Sequence, residues 1–198
     1  MRPYVWFLVL SVVGVLVVGA RPKMSSVLGP RSSDPVVNRG PRNENRGGLI
    51  IPVDGVTADH LKSDFNDSRG GFRVHQAIDI LAPRGTPVRA AVAGTIRKLF
   101  VSRAGGITIY EFDENQDRVY YYAHLDRYAD FLVEGMTVAQ GDVIGYVGTT
   151  GNAPANTPHL HFAISILPPA KEWWKGEPID PYPLLTEGAT TGTASTLR

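Results

Sequence analysis

The 198-residue chain contains no cysteine, which excludes disulfide bridges, thiolate metal sites and lipid attachment to a cysteine of this chain. Its stability must come from an apolar core and from any metal it holds. A strong charge of either sign is also missing, since 20 Lys and Arg stand against 19 Asp and Glu for a formal net charge of +1. The balance is uneven along the chain. Residues 49–198 hold 13 basic and 17 acidic side chains, whereas residues 21–48 hold six basic and two acidic. A mildly acidic body lacks the basic footprint of a nucleic-acid enzyme, and nucleic acid is excluded as a partner on that ground. Helical periodicity is lacking too: no window of a dozen residues after residue 48 sustains apolar positions at the 3.6-residue repeat.

One long apolar run does occur. Residues 1–20 read MRPYVWFLVLSVVGVLVVGA, a single Arg followed by an uncharged stretch over residues 4–20. Its length lies between the roughly 7 to 15 apolar residues of a signal-peptide core and the ~20 of a bilayer-spanning helix. Val18-Gly19-Ala20 suits a small-residue cleavage site, while Arg21 and Lys23 suit an uncleaved anchor. The expectation is an apolar helix serving as signal anchor or signal peptide. It would carry the rest of the chain to the extracytoplasmic face of the cell envelope, membrane-tethered if uncleaved and secreted if cleaved. Residues 21–48, dense in Pro, Gly, Ser, Asn and Arg without any period, read as a flexible basic linker.

From residue 49 the pattern changes to short β-branched and aromatic runs punctuated by Gly, Pro, Asn and Asp. Candidate strands are 49–53, 77–81, 87–100, 107–112, 118–124, 143–147 and 159–166. The expected fold over residues 49–185 is mainly β, a small antiparallel sandwich or barrel-like domain with long loops. Two segments echo one another, Gly85-Thr-Pro-Val88 leading to Gly94-Thr-Ile96, and Gly135-Met-Thr-Val138 leading to Gly141-Asp-Val-Ile144. Such an echo points to a duplicated hairpin. Trp173 and Trp174 are expected to pack back onto the domain, and residues 186–198 to form a disordered tail.

Five histidines occur, at 60, 75, 124, 159 and 161. A hydrolytic zinc site needs three nitrogen or oxygen ligands and a fourth position for water. His75-Gln-Ala-Ile-Asp79 offers an imidazole and a carboxylate from one local segment, and Pro158-His-Leu-His161 offers a third ligand from far along the chain. Residues two apart on a strand share a face, so His159 and His161 point into one groove with Leu160 in the core. One of the pair can then bind metal while the other serves as a base. His124, ending Val119-Tyr-Tyr-Tyr-Ala-His124, supplies a further imidazole. Singly, neither motif specifies a metal, and His124 alone reads as a structural histidine; their coincidence in one β domain without cysteine makes the case. His60 stands in a polar loop and is read as outside the site.

Along Val74-His75-Gln-Ala-Ile-Asp79-Ile80, Ala82-Pro-Arg-Gly-Thr-Pro-Val88, Tyr122-Ala-His124-Leu125, Gly141-Asp-Val-Ile-Gly145, Gly148-Thr-Thr-Gly151 and Pro158-His-Leu-His-Phe162, the sequence resembles the LytM and lysostaphin-type zinc metalloendopeptidases. That family cuts the peptide cross-links of peptidoglycan, and the resemblance spans residues 49–185. It implies zinc as cofactor with His75, Asp79 and His161 as ligands, His124 and His159 as the catalytic pair, a duplicated-hairpin β fold and a peptidoglycan peptide as substrate. In the implied reaction His159 is the base, and His124 either donates to the oxyanion or orients the water. Ala77 departs from the family, which usually has Gly there. No segment identifies a protein partner.

Two other readings compete. A latent or non-catalytic regulator of wall hydrolases would keep the fold, with the linker or residues 54–71 lying over the metal, although every ligand position is intact. A non-haem iron facial triad also uses two histidines and a carboxylate, but it leaves the additional histidines without a task. Tyr110, Tyr120, Tyr121 and Tyr122 are candidates to line the groove, with alternation sending about half of them to the core. Arg69 and Arg73 are candidates to meet substrate carboxylates, or else are solvated loop charges.

Overall fold

The computed structural model describes residues 48–69 and 74–187, all within the compact unit Pro35–Arg198. The expected helix at 1–20, the linker up to residue 47, Arg73 and residues 188–198 of the expected tail lie outside the described residues. Among the described residues nine strands form a single antiparallel sheet: β1 Ile78–Leu81, β2 Pro87–Arg89, β3 Gly94–Ser102, β4 Gly106–Asp113, β5 Arg118–Tyr128, β6 Thr137–Val138, β7 Val143–Val147, β8 His159–Ile166 and β9 Glu177–Ile179. Helix is confined, among the described residues, to a 3-10 turn at Ala58–His60 and to α1, Pro181–Glu187. The helix takes in Thr186 and Glu187, which are expected in the tail.

The main path of the sheet runs β1-β8-β5-β4-β3-β6, with β7 beside β5, β2 beside β7 and β9 beside β8. It does not close into a barrel. Strand β5 is the hub: its first half pairs with β8, from Arg118↔Ile166 to Ala123↔His161, and its second half with β7, from Leu125↔Val147 to Tyr128↔Gly145. Alternation sends Tyr120 and Tyr122 into the core beside Leu160, Phe162 and Ile164 of β8. Tyr121 and Tyr110 remain half-buried, pair across β4 and β5, and carry Trp173 against Tyr110 at a ring separation of 4.7 Å. Trp173 thus packs back as expected, whereas Trp174 touches Trp173 from an exposed position.

The echoed segments are a duplicated hairpin whose short strands are exchanged. Gly85 N donates to Val147 O at 2.8 Å and Val147 N to Thr86 O at 2.9 Å; correspondingly, Gly135 N donates to Ile96 O at 2.7 Å and Ile96 N to Met136 O at 2.9 Å. The two copies therefore match Gly85 with Gly135 and Ile96 with Val147. The counterpart of Gly94 is then Gly145, two residues before Val147, and not the Gly141 suggested by the sequence echo.

Two expected strands differ from what forms. Residues 49–53 run beside β2 but join the ladder only through Val53↔Val88, because Pro52 has no N–H to donate. The run 87–100 breaks into β2 and β3 around buried Ala90 and Ala91. There the chain changes partners, and Gly94 passes so close to β4 that a Cβ on it would lie 2.1 Å from Phe112 O. β6 and β9, two and three residues long, have too little pattern to be read in advance.

Among the described residues, one carboxyl lies fully buried in this sheet. Glu111 of β4 is fully buried; Tyr122 Oη donates to its Oε2 at 2.5 Å, and Oε1 has no partner. Burial pushes the carboxyl up to about 8 against that hydrogen bond, and the charges of Asp113 and Asp142 add to the rise. A carboxyl whose pKa is higher in the native state than in the unfolded chain binds more protons when folded. Its contribution is therefore full below the ordinary value of 4.5 and is lost as pH climbs to about 8. Urea midpoints measured between about pH 5 and pH 8.5 should fall with pH in the parent protein and change much less in Glu111→Gln, which cannot ionise.

Candidate metal centre

The centre is assembled by sheet register. In the β1–β8 pair Asp79 stands opposite His161, and in the β5–β8 pair His161 stands opposite Ala123. His75 lies just before β1 and reaches back to Asp79, aided by a left-handed backbone at Gln76 (φ 55°) whose N–H donates to Phe65 O at 2.8 Å. That strain of about 1 kcal/mol or more falls on Gln76. The next residue, Ala77, is fully buried and has no positive φ. The alanine methyl is therefore accommodated without the backbone freedom of glycine.

His75 Nε2, Asp79 Oδ1 and His161 Nδ1 form a triangle with sides of 3.0 Å. An ion bound tetrahedrally at about 2.1 Å needs donors about 3.4 Å apart, so the triangle has to open by about 0.4 Å per side to hold zinc. Two imidazoles and a carboxylate are the nitrogen and oxygen donors that zinc accepts, and three of them leave room for a fourth ligand. The residues present fit the ion.

Both other imidazoles face the same cleft. His159 directs Nδ1 to Thr157 O at 2.8 Å and brings Nε2 to 3.8 Å from Asp79 Oδ1. His124 directs Nδ1 to Thr150 O at 2.8 Å, and its ring centroid lies 5.0 Å from that of His159 and 5.6 Å from that of His161. With Nδ1–H donated to a carbonyl, each ring leaves Nε2 for chemistry. His75 is fixed in the same way, through Nδ1 and Asp64 O at 3.1 Å.

His124 reaches the cleft through a β-bulge. Strict alternation from Tyr122 would turn His124 into the core. Between Ile109↔Tyr122 and Ile107↔Leu125, however, β5 places two residues, Ala123 and His124, opposite Thr108 alone. The extra residue puts Leu125 in the core and frees His124 to face outward. The backbone pays with φ of 60° at His124, held by its N–H donating to Gly105 O at 2.8 Å.

Electrostatics follow from burial and from the carboxylate. Burial alone would raise the Asp79 carboxyl, but hydrogen bonds from His161 and His75, together with their charges, hold it far below the usual range. His75 is lowered by burial yet ends raised, because Asp79 and Asp64 favour its charged form. Burial pushes His124 down against its hydrogen bond to Thr150, and the charges of His161 and His159 reinforce the fall.

The cleft has a volume of about 490 Å³, and Val74, Asn152, Pro154 and Thr157 are among its lining residues. Arg69 lines it too and donates to Asp79 Oδ2 at 2.5 Å, a contact that sequence alone did not reveal. Of the four tyrosines, Tyr121 approaches the centre, with its ring 6.1 Å from His161. His60 stays away, exposed and within reach of Thr57 and Asp59.

Over residues 73–181 the chain matches Peptidase family M23, and it belongs to that family. Among curated relatives, the L-Ala–D-Glu endopeptidase of Bacillus subtilis is 36% identical over 131 residues, covering 63% of this chain and 39% of that protein. Peptidoglycan DD-endopeptidase ShyC of Vibrio cholerae is 34% identical over 107 residues, covering 52% and 24%. The chain thus spans well under half the length of these relatives. Among solved structures, the catalytic domain of lysostaphin from Staphylococcus simulans superposes with a TM-score of 0.50 at 31% identity, covering 60% of this chain and 83% of that one. LytU superposes with a TM-score of 0.52 at 27% identity, covering 62% and 81%.

The carbonyl that orients His124 belongs to a turn docked backbone against backbone. Gly151 has φ of 76°, and a Cβ there would lie 2.3 Å from both Ala104 O and Gly106 N. Gly151→Ala should cost about 2–4 kcal/mol from backbone strain and overpacking, measured as a lowered denaturant midpoint. An unchanged midpoint would mean that the two turns do not pack as described.

Proposed function

We propose that the chain is a zinc-dependent endopeptidase that hydrolyses peptide cross-links of bacterial peptidoglycan. The observation carrying this reading is that His124 and His159 turn toward the same cleft as the triangle of His75, Asp79 and His161. A purely structural metal site closes its shell with four protein ligands, whereas here three donors stand beside two imidazoles that none of them needs. Those extra imidazoles also favour hydrolysis over an iron facial triad. The relatives' activities, an L-Ala–D-Glu endopeptidase and a peptidoglycan DD-endopeptidase, support a peptide bond of peptidoglycan as the target. The same reading places the domain outside the cytoplasmic membrane, with residues 1–20 as export signal or anchor and residues 21–48 as tether.

His75, Asp79 and His161 would hold zinc, which when bound would supply Lewis acidity that lowers the pKa of water from 15.7 toward roughly 7 and polarises the scissile carbonyl. The chain's own residues move the protons. His159, with Nδ1 tied to Thr157 O, takes the proton of the attacking water on Nε2 and returns it to the leaving amine. His124 has Nδ1 tied to Thr150 O and is pushed toward the neutral form, so its Nε2 accepts a hydrogen bond and orients the water. Donation to the oxyanion would require this ring to gain a proton, which its burial opposes.

Digestion of purified peptidoglycan should proceed with the parent protein and stop on adding a chelator. His161→Ala should lose both zinc and turnover. His159→Ala should keep stoichiometric zinc and lose about 10²-fold to 10⁴-fold in rate. Full activity in either variant would sink the assignment of roles, and stoichiometric iron in protein purified without added metal would replace zinc.

A further inference from the structure

The two oxygens of Asp79 have different surroundings. Oδ1 lies 3.0 Å from both His75 Nε2 and His161 Nδ1, whereas Oδ2 accepts from Arg69 Nη2 at 2.5 Å. Arg69 sits on a segment pinned to the residues before β1. His75 N donates to Asp67 O at 2.9 Å, Gln76 N to Phe65 O at 2.8 Å, and Ser68 bridges Val74. Asp64, on the same segment, accepts from His75 Nδ1 on its carbonyl at 3.1 Å, and its Oδ2 lies 3.8 Å from Arg69 Nη2. One loop therefore grips both members of the His75–Asp79 pair, each by an atom other than the one in the triangle.

A carboxylate can hold an ion through one oxygen or through both. Chelation through both requires Oδ2 to leave its guanidinium partner and turn toward the ion, and a charge-assisted hydrogen bond opposes that rotation. We propose that Arg69 is a positioning residue that restricts Asp79 to one-oxygen ligation and thereby keeps a coordination position open for water. Without it, Asp79 would chelate with both oxygens, so that the coordination number would rise by one and the water would be held in a more crowded shell. This rests on the metal centre described under Proposed function. It differs from a role for Arg69 in gripping a substrate carboxylate, which would act on substrate affinity and leave the ion's surroundings unchanged.

Cobalt(II) substituted for zinc reports coordination number, because its visible absorption weakens as ligands are added. The full chain, Arg69→Ala and Arg69→Lys are loaded with cobalt and compared. The parent should take up one equivalent with an intense band. Arg69→Ala should show a weaker band and a kcat on a soluble peptidoglycan fragment lowered by about 10-fold to 100-fold, with KM nearly unchanged. Arg69→Lys, which keeps a cationic donor, should recover much of the band. An Arg69→Ala band equal to the parent's overturns the proposal, as does a raised KM with kcat and band intact. A parent chain that takes up no cobalt overturns the metal centre itself, and this proposal with it.

Discussion

The register of β8 against its two neighbours is the constraint on which the centre depends. Asp79 meets His161 on one side and Ala123 meets it on the other. Because side chains alternate at every residue, a slip of one position on β8 would bury both imidazoles and expose Leu160 and Phe162. The register is secured by apolar side chains on the opposite face, where Leu160, Phe162 and Ile164 are fully buried with Tyr120 and Tyr122. Core packing and site geometry are thus two faces of one arrangement. A substitution that loosens Phe162 acts on the triangle without touching it.

Around that arrangement the duplicated hairpin supplies rigidity. Each short strand is held by the long strand of the other copy, so neither copy completes its hydrogen bonds alone. β5 changes partner from β8 to β7 near the bulge that turns His124 outward. The irregular backbone at His124 and Gln76 lies within otherwise well-paired structure, as strained residues at functional sites commonly do.

Much of this was legible in the sequence because it depends on short-range periodicity. The pairing of His159 with His161 on one face follows from the two-residue repeat, and so does the burial of Tyr120 and Tyr122 while Tyr110 and Tyr121 stay half-buried, although none of these tyrosines lines the cleft. The Gly85 and Gly135 turns revealed the duplication, although Gly145 was missed as the partner of Gly94 because its role is a close backbone approach rather than a turn. His124 was picked out, but not the means by which it reaches the cleft, since alternation alone predicts the wrong face and a bulge leaves little trace in residue type. The grip of Arg69 on Asp79 was hidden for another reason: ten residues separate the two, and only the pinned loop brings them together.

His161 and Asp79 are 82 residues apart in the chain, and bringing the ends of such a loop together costs about 4 kcal/mol of chain entropy. An ion bridging β1 and β8 would hold that closure in the native state and be absent from it in the unfolded chain. Its binding energy would then count toward folding, giving a protein without a single thiol the kind of long-range tether that secreted domains elsewhere obtain by oxidation.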